Sequence, residues 1–238
     1  MEKQLQKCIQ LANLLLIIFL SISCKKETSQ PKPVPATVTD IDGNVYHTIK
    51  IGTQTWMVEN LKVTKYNDGT AIPLVTDSII FVNLTTPCYC WVNNDQATYG
   101  NTYGALYNWH TVNTGKLSPI GWHVPTDSDW TTLTNFLGGE DIAGLKLKET
   151  GNTHWMSNPL TWSTNESGFT ALPGGNRSSM FQGSGSLFYY IGHSGYWWSA
   201  TDYDMSFAWC RIMRYYEFSV HRNYIGIQIG CSVRCVKD

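Results

Sequence analysis

Seven cysteines offer the first chemistry in this chain of 238 residues. Cys8 and Cys24 lie near the N-terminus, and Cys88, Cys90, Cys210, Cys231 and Cys235 remain for the body of the protein. In an oxidising compartment an odd set of this kind pairs off and leaves one thiol over. Within a strand Cys231, Val233 and Cys235 share one face, and a neighbouring strand carrying Cys210 can bridge to one of them. The favoured pairing is Cys90–Cys235 with Cys210–Cys231, leaving Cys88 free, although spacing by itself sets no connectivity. A zinc site does not fit, because Cys88 and Cys90 are not spaced like a zinc knuckle, nor are Cys231 and Cys235, and no HExxH sequence occurs.

Aromatic rings are the second source of chemistry, with 10 tryptophans and 13 tyrosines. Trp155, Trp162, Phe188, Tyr189, Tyr190, Trp197 and Trp198 can line a carbohydrate platform, since ring faces stack on the C–H surfaces of sugars. Asn176 and Asp202 would add directional hydrogen bonds. In a strand Trp197 and Trp198 point to opposite faces, so at most one of them serves a ligand and the other joins the core. The candidate ligand-binding residues are therefore Trp155, Asn176, Trp197, Trp198 and Asp202, carried by loops around 152–165 and 176–194.

Other constellations fall short. The six histidines are scattered, and no serine sits in a GxSxG elbow. Gly183-Ser-Gly185-Ser is not followed by the lysine that a phosphate loop needs. Asp40, Asp42 and Asn44 have the spacing of a calcium loop, but Ile49 and Lys50 stand where acidic ligands would help, so a β-turn is expected. No catalytic residue, metal or other cofactor is expected, and calcium lacks a supporting motif.

The elements that must position these residues begin with a targeting segment at 1–23. Lys3 and Lys7 form a positive start, and Leu11 to Leu20 is an apolar run too short to span a bilayer. Ser21 and Ser23 then lead to Cys24, as in a bacterial lipoprotein signal with cleavage before Cys24 and lipidation of its thiol. The expected partner there is membrane lipid, held by several acyl chains. Residues 24–38 read as a tether, extended by Pro31, Pro33 and Pro35. The folded domain is expected over 39–238, a length that supports one core. Net charge is -1 and charged residues make up 15%. With no basic run, nucleic acid is excluded as a partner.

Val45 to Ile51 alternates like a strand, and Gly52-Thr53-Gln54 turns it into a second strand at Trp56-Met57-Val58. Residues 67–100 read as an irregular excursion, and Gly104 to Val112 as a short helix. The clearest helix follows Pro125, with Thr126 as N-cap and Asp129 closing a capping box. Asp127 and Asp129 suit its positive end better than a catalytic pair would. Trp130, Leu133, Phe136 and Leu137 form its apolar face, and Gly138-Gly139 ends it. Beyond Gly144 come strand candidates at Leu145–Leu147, 169–172, 196–199, 207–213, 218–220 and 231–236.

Seven blocks in order, WMVENL (56–61), YGALYNWHTV (103–112), GKLSPIGWHVPTDSDW (115–130), GLKLKETG (144–151), GFTALPGGNR (168–177), GYWWSAT (195–201) and SVRCVKD (232–238), resemble the Fibrobacter succinogenes major paralogous domain. The resemblance covers 39–238 and implies a secreted protein or lipoprotein of the kind found in Bacteroidota and Fibrobacterota. GWHVPTDSDW and SVRC are also similar to blocks of formylglycine-generating enzymes, which have a variant C-type-lectin-like fold. That kinship implies an α+β domain with two short helices, twisted mostly antiparallel sheets, long loops and adjacent terminal strands. It does not bring the oxidase chemistry along: Cys210 stands alone in its strand, and Tyr215 occupies the region of the second copper-binding cysteine. Ser118 stands where members of the family often have cysteine, and the Glu-Pro-Asn sugar motif of true lectins is missing, with Asn158-Pro159-Leu160 a partial echo.

The expected protein is a non-catalytic lipoprotein of the cell envelope, on the outer membrane, binding a glycan or a surface protein through its aromatic, Asn- and Gly-rich loops. The alternatives are an oxidoreductase related to formylglycine-generating enzymes and a structural or adhesive surface protein.

Overall fold

The computed structural model describes residues 36–160, 162–179, 185 and 187–238. Cys24, the expected leader and most of the expected tether lie outside these residues, as does the middle of the 176–194 loop.

The chain opens with β1 (Thr37–Thr39), β2 (Val45–Ile51) and β3 (Gln54–Met57) in antiparallel register. The expected hairpin is present, and Gly52 turns it at φ 60°. Pairing starts at Thr37, inside the stretch expected to be tether. The Asp40–Asn44 segment is the expected turn. The Asp40 carboxylate accepts from the Asp42 and Asn44 amides and from the Tyr46 hydroxyl at 2.6 Å.

Residues 67–100 are more ordered than their composition suggested. They contain α1 (Ser78–Asn83), β4 (Tyr89–Trp91), a 3₁₀ turn at Val92–Asn94 and the start of α2 (Gln96–Tyr103). Asp77 and Asp95 cap the two helices through their carboxylates, the usual role of a short acidic side chain at an N-cap. Ala105–Tyr107, expected as helix, is β5, paired with β4, and the helix is reduced to α3 (Trp109–Val112), capped by Asn108.

After β6 (Trp122–His123) comes α4 (Asp127–Phe136), with the expected capping box: Asp129 N–H donates to Thr126 Oγ1 at 3.1 Å, and Thr126 N–H donates to Asp129 Oδ2 at 2.9 Å. Trp130, Leu133 and Leu137 are buried, but Phe136 is exposed and its ring lies over Gly52. Leu145–Leu147, expected as a strand, belongs to α5 (Glu140–Leu147). Gly144 permits this packing, because a Cβ there would stand 2.6 Å from the carbonyl oxygen of Phe218. The described residues thus hold five α-helices where two were expected.

β7 (Asn176–Ser178) pairs with β8 (Leu187–Tyr189). The long antiparallel sheet is β9 (Ser194–Asp202), β10 (Phe207–Arg214) and β11 (Val220–Gly226), in the order β11-β10-β9. β12 (Val236–Lys237) returns between β3 and β6, bringing the two ends of the domain into one sheet of order β1-β2-β3-β12-β6. The architecture is mixed α+β, mostly antiparallel sheet with short helices, as expected at that level.

β9 and β10 are covered on both faces. Trp198, Cys210 and Ile212 face a cluster with Tyr107, Cys231 and Val233. Trp197 and Met213 face the opposite way, against Trp56, Trp130, Leu147 and Phe169. Between the layers lies a buried polar junction. Asn60 Oδ1 accepts from Trp197 Nε1 at 2.9 Å and from Arg234 Nη2 at 2.9 Å, while Asn60 Nδ2 donates to the Tyr103 carbonyl at 2.9 Å. Arg234 also donates to the carbonyls of Phe169 and Thr170 and lies over the Phe169 ring. A buried guanidinium that loses an acceptor keeps its desolvation penalty, so Asn60→Ala should lower stability by about 3 kcal/mol. Urea denaturation will show this as a lower midpoint with an unchanged slope.

Candidate functional site

The loop after α5 forms one wall of a surface cleft of about 400 Å³. Trp155, Trp162 and Tyr215 give it rings, Asn152, Asn158 and Ser163 give it polar groups, and Lys148 gives it an amine. The loop is held at defined points. Trp155 Nε1 donates to the Ala171 carbonyl at 2.9 Å, Met156 N–H donates to the Gly192 carbonyl at 2.7 Å, and Ser163 Oγ donates to the Glu149 carbonyl. The Asn158 carboxamide oxygen accepts from Leu160 N–H at 2.9 Å, an Asx turn that shapes the wall.

Trp162 is 65% exposed, and its ring rests edge-on against Phe218 at 5.3 Å. Lys148 is 3% exposed. Its ammonium donates to the carbonyls of Arg214 at 2.9 Å and Glu217 at 2.6 Å and lies 5.3 Å from the Trp155 ring centre. Burial pushes the amine down to about 8, against a smaller opposing field from Glu217.

Of the five residues favoured for ligand binding, Trp155 lines this cleft and is buried, and Trp162, expected in the same aromatic platform, lines it and is exposed. Trp197 and Trp198 are both 0% exposed. The expectation that one of them serves a ligand fails because helices cover one side of β9 and the β4–β5 layer covers the other. Their indoles are satisfied internally, by Asn60 and by the Tyr107 carbonyl at 2.8 Å. Asn176 is buried on β7 and accepts from Ser178 Oγ at 3.1 Å. Asp202 is exposed at the end of β9, away from the cleft. Lys148 and Tyr215 were not singled out for ligand binding. Lys148 was hidden because Leu145–Leu147 reads as a strand, which hides its place at the end of a helix packed on the β10–β11 turn.

Asp202 borders a second aromatic surface. Tyr203 and Tyr224 stack with ring centres 4.0 Å apart, Phe207 and Trp209 meet Tyr224 edge-on, and the Arg222 guanidinium lies 3.5 Å from the Trp209 ring centre. Arg222 and the buried Arg211 converge on Asp127, at 2.9 and 2.8 Å. Burial raises the Asp127 pKa, but the two guanidinium groups outweigh this and hold it below the usual carboxylate range. This pair of arginines fixes the start of α4 to the sheet. Another depression, of about 600 Å³, is bordered by Asp42, Lys62 and Trp91, and its charges are already engaged, Asp42 with Lys65 and Lys62 with Asn101.

All five cysteines of the described domain, Cys88, Cys90, Cys210, Cys231 and Cys235, are buried free thiols, so the expected bridges Cys90–Cys235 and Cys210–Cys231 are not formed in this structure. Cys90 and Cys235 belong to different apolar clusters, which separates the first pair. Cys210 and Cys231 share a cluster and lie within each other's field. Among the described residues no group of three or more His, Cys, Asp or Glu side chains could hold a metal.

The fold defines a loop-rich α+β domain with a side cleft. Over residues 49–237 the sequence matches the Fibrobacter succinogenes major domain, and the chain belongs to that family. No curated protein and no solved structure matches it.

Burial pushes Cys90 up to about 11, and Cys88 and Cys210 up to about 12. Such thiols are protonated and inert at neutral pH. Without reductant, a thiol-specific reagent should react negligibly with the folded domain and count five thiols per domain once it is unfolded in urea. A count of three would mean that one bridge forms in solution.

Proposed function

We propose that this protein is a lipid-anchored, non-catalytic component of the cell envelope that binds carbohydrate in the cleft lined by Trp155, Trp162 and their neighbours. The observation that carries this reading is the combination of an exposed Trp162 ring with amides and hydroxyls in one concave site. A ring face covers the apolar C–H patch of a sugar, and neighbouring polar groups fix its hydroxyls. Export and lipidation at Cys24 rest on the N-terminal sequence pattern, as does the outer-membrane location.

A distant kinship with the C-type-lectin-like fold is part of this reading, supported by β12 pairing beside β3. The oxidase alternative receives no support from Cys210, which is buried with its thiol pushed up to about 12. Copper ligation needs an accessible thiolate. A protein ligand is the second reading, favoured by the exposed Tyr203, Phe207 and Tyr224 on the β10–β11 face. An adhesive role would use the same surface without a saturable soluble ligand.

Trp162→Ala removes the exposed ring without emptying the core. On a glycan array the wild-type domain should retain at least one glycan class, and this variant should bind it roughly 30-fold more weakly, as expected for loss of an aromatic anchor worth about 2 kcal/mol. Unchanged binding by the variant would remove the cleft from the account. Loss after Trp209→Ala in its place would move the site to the sheet surface.

A further inference from the structure

Among its described lining residues the cleft holds a single full charge. Lys148 is its only Asp, Glu, Lys or Arg side chain, and Tyr215 is the only other titratable group among its lining residues. Two of the three N–H donors of Lys148 are used by the carbonyls of Arg214 and Glu217. Those dipoles satisfy donors without neutralising the charge. A buried cation normally requires an opposite charge, because desolvation is otherwise uncompensated.

The neighbouring carboxylates are already engaged. From the β10–β11 turn, Glu217 pairs with Arg214 at 3.1 Å and with His221. Beyond the end of α5, Glu149 pairs with His154 at 2.8 Å, and Glu166 pairs with Lys146 at 3.0 Å. His193 packs against Tyr215 and meets the Ile191 carbonyl. Glu217 is the one carboxylate whose field reaches Lys148, and Arg214 and His221 already share its oxygens.

We propose that the cleft is selective for acidic carbohydrate, taking a uronic acid residue whose carboxylate pairs with the Lys148 ammonium while its ring lies against Trp162. The proposal rests on the carbohydrate reading above and narrows it to a ligand class. A uronate brings the missing counter-charge and a C–H face for the indole together. A neutral sugar brings the face alone.

The pairing needs the protonated amine, whose pKa is about 8 in the free cleft. A bound carboxylate raises it. Affinity is therefore full well below pH 8, then falls by up to about tenfold per pH unit above it until the pKa of the complex is reached. The uronate stays ionised throughout, so the decline belongs to the protein.

The test is calorimetric titration of the full chain in detergent micelles at pH 6 and pH 9.5. The probes are oligogalacturonate, oligoalginate and oligoglucuronate, each beside its carboxyl-reduced neutral form. At least one acidic probe should bind at pH 6, at least about tenfold more tightly than its neutral form, and should weaken by a similar factor at pH 9.5. Lys148→Arg keeps its charge across this range and should flatten the pH profile. If that variant does not fold, the wild-type comparison decides alone. Equal binding of acidic and neutral forms with a flat pH profile overturns the charge selectivity and leaves the carbohydrate cleft standing. Binding by none of the probes overturns the acidic selectivity, and a blank glycan array beside it overturns the carbohydrate reading itself. Capture of a peptide through its C-terminal carboxylate, with no uronate bound, also overturns the proposal.

Discussion

The Asn60 side chain is the constraint on which the rest of the structure depends. Its oxygen accepts from Trp197 and Arg234, and its amide nitrogen donates to Tyr103. The residues it joins come from the segment after the first hairpin, the end of α2, the start of the long sheet and the segment leading into β12. Each of these groups would be costly to bury unpaired. They meet one another's needs only when all these segments arrive together. That requirement explains why WMVENL, GYWWSAT and SVRCVKD contribute to a single point: their polar residues are structural, and their conspicuous aromatics are core.

The junction reaches the cleft through one short segment. Arg234 binds the carbonyls of Phe169 and Thr170 from below. The next residue, Ala171, accepts from the Trp155 indole and pairs with the backbone beside Lys148. On the other side Gly144 lets α5 approach the β10–β11 turn closely enough for Lys148 to meet two of its carbonyls. The floor of the cleft is thus fixed from two directions by hydrogen bonds to backbone, whereas its rim, with Trp162, is exposed. A rigid floor beneath an accessible ring lowers the ordering cost of binding.

Local signals were the most legible in the sequence. The Thr126–Asp129 capping box and the opening hairpin each involve a few neighbouring residues, and both are present as read. Alternation misled where tertiary packing overrode it. Leu145 and Leu147 alternate with lysines yet lie on a helix, and Ala105–Tyr107 forms a strand despite its helix-compatible pattern. The tryptophan pair on β9 was rightly assigned to opposite faces, but a sequence does not state that both faces are covered. Trp155 and Trp162, both read as parts of an aromatic platform, line the cleft. Lys148 was invisible because its neighbours, Arg214 and Glu217, are distant in sequence and contact it through backbone atoms that carry no side-chain signature.

The cleft can be tested separately from the core through the indole N–H resonances of the ten tryptophans. With binding oligosaccharide added to labelled protein, the account predicts that the Trp162 and Trp155 signals shift in a saturable manner while those of Trp197 and Trp198 stay in place. Shifts centred on Trp209, with Trp162 unmoved, would contradict it.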